Sequence, residues 1–501
     1  MSIPIYNVAD HGATGNGESL DSPAIQAAID ACSASGGGTV LIPRGNYICG
    51  TIHLLNNITL EISGGACLHY SPREEDFDEP EELSFNPNAD IETSYFRFAL
   101  IHAEGVEAIA IQGKGKIDGK PYHRAGPKPI ALKSCNHITI KDITIEDAPN
   151  YNISMIDCEQ ITIDGVFIHG GLADGIDFDN CRYGMVTNCY IDAYDDAICL
   201  KTSPALGVLS TTEDIAVTNC TIGTSCFALK IGTETSGDCH NIAFSNCTLF
   251  ARRGHGGFLG GIALEAVDGS HVDNVVISNI TMHGARCPIF LRVGNRGRGQ
   301  PIPTPGSMEN VAITNIVARD AILPCIIAGI PDKVIEHLHI SNVIIDFADA
   351  GPDALAKADL KVPECIPDYP EPGQFKPLPA WGIYCRHAKD ITLSGLQLRQ
   401  EIFDPRAGIV LDDIHDLVLD ARLAWKVTND QDDLEKNQAA AWFHQSSNIK
   451  IRECEAIAVP ARFKITGDAS LNVQFLPGVV QEKETSIIAD ANIEEKEIIV
   501  M

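Results

Sequence analysis

Two aspartates, Asp195 and Asp196, stand side by side in the stretch DAYDDAICLKT, residues 192–202. A third, Asp174 in GLADGIDFDN, precedes Asp195 by 21 residues. The flanking segments are apolar and read as strands. Neighbours on a regular strand point to opposite faces. A strand running straight through the pair would therefore drive one carboxylate into the core, where an unpartnered charge is very costly. The pair belongs instead at a strand end, where a turn or bulge lets both side chains share one face over a cleft. Carboxylates gathered there repel when all are ionised, so at least one is pushed to hold its proton. One protonated acid beside ionised neighbours suits glycosidic cleavage: the acid protonates the leaving oxygen, and a carboxylate activates water or attacks directly. Two other readings fit the same residues. Asp174, Asp177 and Asp179 alternate somewhat as in a Ca²⁺ loop, although the glycine and terminal glutamate of an EF-hand are missing. A solvated acidic turn is also common in a chain this acidic.

Asp174 meets the pair only if about twenty residues make one structural repeat, and the chain repeats on that scale. NHITIKDITI at 136, EQITIDGVFI at 159, EDIAVTNCTI at 213, HNIAFSNCTL at 240, DNVVISNITM at 273, ENVAITNIVA at 309 and EHLHISNVII at 336 share one pattern, with a minimum spacing near 23 residues. Each alternates apolar and polar residues with period two, as a half-buried strand does. Each is rich in β-branched residues and ends in Asn, Asp or Gly. The variable spacing argues against a helical-repeat solenoid. It predicts an all-β chain wound as a parallel β-helix, one domain over residues 1–501, with neighbouring coils about 4.8 Å apart.

Stacked coils imply ladders of like residues. Asn188, Asn219, Asn246, Asn279, Asn315 and Asn342 form one ladder, their amides bonding along the axis. Cys189, Cys220 and Cys247 follow directly and read as a buried stack of small apolar side chains rather than a metal site. The open end of the helix needs a cap, expected within residues 1–50. There SPAIQAAIDACSA offers Ser22 as N-cap, Pro23 as first helical residue, and Ile25, Ala28, Ile29 and Cys32 as one apolar face. Long interruptions at about 70–97, 295–308 and 346–385 are the expected walls of a binding cleft.

The bulk numbers exclude several classes. A formal charge of −30 on 501 residues disfavours nucleic acid, which needs a basic face, and an anionic membrane surface. No apolar run approaches the roughly 18 residues of a membrane span. The opening MSIPIYNVADHGATG has neither a basic n-region nor an apolar h-region. Together with seventeen cysteines, this leads to the expectation of a reducing, cytoplasmic address. A secreted chain with its signal trimmed would read the same.

Several motifs carry a resemblance. IYNVADHGATGNGESLDSPAIQAAIDAC with GGGTVLIPRGNY is an entry segment shared by pectin-active and phage-tail β-helices. IAIQGKGKIDGK matches a coil usually reading G-x-G-x-I-D-G, and APNYNISM matches S-P-x-W, which brings Tyr151 into consideration as a substrate-binding residue. ADGID stands for N-T-D-G, and DAYDDAICLK for G-D-D-C-I-A-I-K. On these residues the chain resembles the polygalacturonase family, glycoside hydrolase family 28, as a divergent bacterial-type member of the pectin-lyase-like solenoids, which implies a right-handed parallel β-helix. The resemblance covers most of the chain. It implies Asp195 as general acid, Asp174 and Asp196 as the groups that hold and deprotonate water, inversion at the anomeric carbon, and no metal or other cofactor.

Two family motifs are lost. G-H-G-x-x-I-G aligns with CFALKIG, putting Phe227 at the histidine. R-I-K aligns with GIALEA, leaving Ala263 and Glu265 where the family carries bases that meet a uronate carboxylate. Lys230, Lys201 and Arg292 are the candidate replacement cations. His255, in the literal GHG of ARRGHGGFLGG, is a candidate for the lost histidine. Glu265 is a candidate to bond neutral sugar hydroxyls or to replace one of the acids. The expectation is a glycosidase acting on pectin-like or related polysaccharide fragments, with carbohydrate as its partner and no expectation about oligomeric state. The alternatives are a polysaccharide lyase or epimerase on the same scaffold, and a non-catalytic carbohydrate-binding β-helix.

Overall fold

The computed structural model describes residues 4–348, 361–426, 439–457, 462–479 and 486–501. The expected 346–385 interruption lies partly outside them. The chain divides into two compact units, Met1–Thr248 with Arg252–Gly254, and Leu249–Ala251 with His255–Met501. The architecture is a right-handed parallel β-helix. Among the described residues no helix is long and apolar enough to cross a membrane.

In the middle of the first unit each coil has three short strands. Ile153–Ile156, Glu159–Asp164 and Phe167–His169 make one coil, and Ile176–Asp179, Arg182–Thr187 and Tyr190–Asp192 the next. Ile198–Thr202, Thr212–Thr218 and Thr221–Thr224 make a third. Each strand pairs in parallel with its counterpart one coil away. Period-two alternation puts Ile153, Ile176 and Ile198, then Ile163, Val186 and Val217, then Ile168, Ile191 and Ile222 into a buried interior. In the second unit the strands are longer, as in His271–His283, Ser307–Ala321 and Ile335–Phe347, which also pair in parallel.

The asparagine ladder has a backbone cause. All six residues, Asn188 to Asn342, hold a left-handed conformation with φ between 53° and 57°, which Asn tolerates better than most residues. Within the second unit Asn315 Nδ2 donates to Asn279 Oδ1 at 3.0 Å, and Asn342 Nδ2 to Asn315 Oδ1 at 3.3 Å. The cysteines complete the corner. Cys189, Cys220 and Cys247 are buried, and each thiol donates to the carbonyl two residues back, at 3.2, 3.3 and 3.2 Å. Cys135, Cys158 and Cys181 repeat the device at another corner, each thiol 3.3 Å from the carbonyl two residues back.

The cap helix is Ser22–Ala34, and Ile25, Ala28, Ile29 and Cys32 are its buried face. Its N-cap is Asp21 rather than Ser22, and Asp21 makes no side-chain cap bond. That carboxylate is already engaged, accepting from the Thr14 N–H at 2.7 Å and the Gly15 N–H at 3.2 Å. Ser22 Oγ instead accepts from the Gly50 N–H at 3.2 Å.

The tightest rung contact near the aspartates is at Gly175. A Cβ there would lie 2.3 Å from the Ala197 carbonyl oxygen on the next coil. Gly175→Ala should therefore force neighbouring coils apart and cost about 1–3 kcal/mol. Urea denaturation reads this as a lowered midpoint, and an unchanged midpoint would contradict the packing described.

Candidate active site

Residues 193–197 leave the strand register between Tyr190–Asp192 and Ile198–Thr202, and that corner allows two adjacent carboxylates. The Asp195 N–H donates to the Ala173 carbonyl at 3.3 Å, and the Gly175 N–H to the Asp196 carbonyl at 2.8 Å. Asp174 thus faces Asp196 across one rung, and the Asp196 N–H donates to Asp174 Oδ1 at 3.2 Å.

The three carboxylates have different surroundings. Asp174 is buried, and the Lys201 ammonium lies 3.1 Å from its Oδ2. The same ammonium is 2.7 Å from Asp177 Oδ1 and donates to the Tyr151 hydroxyl at 3.1 Å, below the Tyr151 ring at 4.3 Å from its centroid. Asp196 is buried too: its Oδ1 accepts from the Phe227 N–H at 3.1 Å and its Oδ2 from Lys230 Nζ at 2.9 Å. Asp195 is the rim member, with its side chain 29% exposed and its Oδ2 2.9 Å from Arg124 Nη1. Arg124 in turn donates from Nε and Nη2 to Glu92 at 3.0 and 3.2 Å. Glu92 belongs to the long 70–97 segment, which therefore reaches the Asp195 corner.

Burial dominates the electrostatics. It pushes the Asp174 carboxyl well above the ordinary carboxylate range, Asp177 adds to the rise, and Lys201 offsets part of it. Burial likewise raises Asp177, again against Lys201. Asp179 is pushed up to about 6 by burial, although it accepts from the Ser203 N–H at 2.7 Å and from the Ser203 hydroxyl. For Lys201 burial works against the charge, but Asp177, Tyr151 and Asp174 outweigh it and hold the ammonium protonated.

Ligand atoms of Asp174, Asp177 and Cys199 lie within 4.8 Å of one another, as do those of Asp195, Asp196 and Cys226. The positive charge such clusters call for is already supplied by the Lys201 and Lys230 ammonium groups. This donor set fits ion pairing better than a Ca²⁺ loop, and Asp179 is turned to Ser203.

The remaining sequence candidates fall in varied places. Tyr151 is buried behind the trio as a hydrogen-bond partner of Lys201. Lys230 is a buried partner of Asp196. Phe227, at the lost histidine, lends its N–H to Asp196 and its ring to Lys230, 5.0 Å from the centroid. In the second unit, Arg292 is buried with its guanidinium on the carbonyls of Gly329, Glu364 and Cys365 and against the Phe375 ring. Glu265 is buried in register with Arg292 on the neighbouring strand. His255 is exposed in the loop that follows the Arg253–Gly254 turn. Sequence reasoning missed Arg124 and Glu92 altogether. They lie in aperiodic segments, and nothing in KPYHRAG marks its arginine. It also missed Asp177 as a partner of Lys201, which alternation along the two strands signals.

The family model described as Glycosyl hydrolases family 28 matches residues 32–320. A probable polygalacturonase of Vitis vinifera is 23% identical over 372 residues, covering 68% of this chain and 74% of its own length. An exopolygalacturonase of Platanus acerifolia is 22% identical over 372 residues, covering 69% of this chain and 91% of its own. The family 28 exopolygalacturonase structure of Yersinia enterocolitica shares the fold with a TM-score of 0.64 at 17% identity, over 84% of this chain and 79% of that one.

Removing the Lys201 ammonium leaves Asp174 and Asp177 buried without their counter-charge. Lys201→Met should cost about 3–5 kcal/mol at neutral pH. The sign of the pH dependence follows from the raised carboxyls. A buried carboxyl whose folded pKa is raised loses stability as pH climbs through that value, and regains it when protonated. Thermal melts should therefore show a larger deficit at pH 8 than at pH 5. A deficit equal at both would contradict the pairing.

Proposed function

The chain belongs to glycosyl hydrolases family 28 and is a glycoside hydrolase acting on pectin-like polysaccharide, and from that premise we propose that Asp195 is its general acid and that Asp174 and Asp196 act on the attacking water. The observation that carries this assignment is the split within the trio. Asp174 and Asp196 are buried against Lys201 and Lys230, while Asp195 is turned to solvent. The Lys201 ammonium offsets part of the burial that raises Asp174, and Lys230 donates to Asp196 Oδ2, so each carboxylate proposed to act on water has a cation beside it. The exposed member is the one a glycosidic oxygen reaches.

The reaction is a single displacement. Asp195 gives its proton to the leaving oxygen as the bond to the anomeric carbon breaks. Water attacks the opposite face and loses its proton to the Asp174–Asp196 pair, so the anomeric configuration inverts. The names of the relatives, probable polygalacturonase and exopolygalacturonase, support a galacturonide substrate, and the exopolygalacturonases support attack from a chain end. The wall formed by the 70–97 segment beside Asp195 is consistent with a cleft closed on one side.

Asp195→Asn should lower kcat/KM on trigalacturonate by about 10²–10⁴ with an unchanged melting temperature, read as reducing ends released. Undiminished turnover would remove the acid assignment. Proton NMR of the first-formed product should show the anomer opposite to that of the cleaved bond, and a retained anomer would contradict the single displacement.

A further inference from the structure

A general acid must carry its proton when substrate arrives, yet a guanidinium sits 2.9 Å from the Asp195 carboxylate. An opposite charge that close favours the ionised form of a carboxylate. The geometry of that guanidinium suggests a resolution. Its Nε and Nη2 donors are tied to Glu92, at 3.0 and 3.2 Å, so Arg124 is anchored from behind and presents Nη1 to Asp195. The Arg124 side chain is 44% exposed. Of the cations that contact the trio among the described residues, Lys201 and Lys230 are buried, and Arg124 alone is open to solvent. It is therefore the cation at this rim that an incoming anion meets, in a chain that lacks basic residues at its Ala263 and Glu265 positions.

The groups facing Asp195 come from several elements. Arg124 lies on the 119–127 segment with Glu92 behind it, Asp174 lies on the preceding coil, Asp196 is its chain neighbour, and Cys226 lies on the following coil within 4.8 Å of both adjacent carboxylates. Among the described residues Lys201 and Lys230 are engaged by Asp174 and Asp196, and Arg124 is the cation in contact with Asp195, so its departure leaves the Asp195 carboxylate without a paired charge.

We propose that Arg124 is an anion-operated counter-ion for Asp195: in the empty cleft it neutralises the aspartate, and a uronide entering the cleft takes its Nη1 donor with the sugar carboxylate. Asp195 then takes up one proton from solvent, and that proton passes to the leaving oxygen when the glycosidic bond breaks. The enzyme thereby selects anionic sugars through the state of its acid as well as through affinity, since a neutral sugar leaves Arg124 on Asp195. The inference rests on the reading of Asp195 as general acid.

The test uses the full chain and trigalacturonate. The pH profile of kcat/KM reports the free enzyme and that of kcat the bound complex. In the native protein the alkaline limb of kcat should lie at higher pH than that of kcat/KM. Arg124→Gln should bring the two limbs together and raise KM at least tenfold, and Arg124→Lys should keep them apart. A readout independent of turnover is calorimetric titration with D-galacturonate at pH 5 in two buffers of different ionisation enthalpy. The native protein should take up protons on binding D-galacturonate, and Arg124→Gln should take up none. Limbs that stay separated in Arg124→Gln, or equal proton uptake in both proteins, would overturn the proposal. If Asp195→Asn abolishes turnover in the same preparations, such a result spares the acid assignment. If Asp195→Asn turns over normally, it is the acid assignment that falls.

Discussion

Parallel stacking at about 4.8 Å per coil is the constraint on which this molecule depends. It brings any residue opposite its counterpart one turn away, whatever the charges involved. At the Asp174–Asp196 rung it aligns two carboxylates, with Asp177 close by, in surroundings that push Asp174 and Asp177 toward holding protons. Unopposed, that arrangement would not survive burial. Lys201 and Lys230 stabilise it, each an ammonium reached from a strand next to the carboxylate it serves. Replacing either partner would leave an uncompensated buried charge, so pairing and packing cannot be varied separately here.

That arrangement gives the three carboxylates different surroundings. Two carboxylates are held against cations in the interior, which fixes their positions. The third sits where the chain turns away from the sheet, with Thr224 Oγ1 donating to its backbone carbonyl and its own carboxylate aimed outward. On the proposed assignment, one corner supplies both the acid and the pair that receives the proton of water. The Asp195 carboxylate is met from outside the sheet by Arg124 and the Glu92 that anchors it.

What could be read from the sequence follows the same boundary. The coils, the aspartate trio and the apolar face of the cap helix are periodic, and periodicity survives in one dimension. Asn188, Asn219 and Asn246 were recognisable as a ladder, but the left-handed backbone behind it was not. Cys189 and its successors read as apolar filler, whereas their thiols close the corner on the carbonyl two residues back. Asp21 takes the N-cap place expected of Ser22 because contacts from Thr14 and Gly15 hold it there. Arg292 shows the limit most clearly. A strand arginine in a substrate-bearing family invites a binding role, yet its donors lie on backbone carbonyls, including two from the distant Glu364–Cys365 segment. Pattern alone cannot distinguish an arginine facing a cleft from one anchoring a loop.

The measurement that bears most directly on this account is a crystal structure of the Asp195→Asn chain with trigalacturonate bound. It should show a glycosidic oxygen within hydrogen-bonding distance of the residue 195 side chain, and an ordered water held by Asp174 and Asp196 on the opposite side of the anomeric carbon. A saccharide seated away from that corner, or bound there with no space for the water, would contradict it.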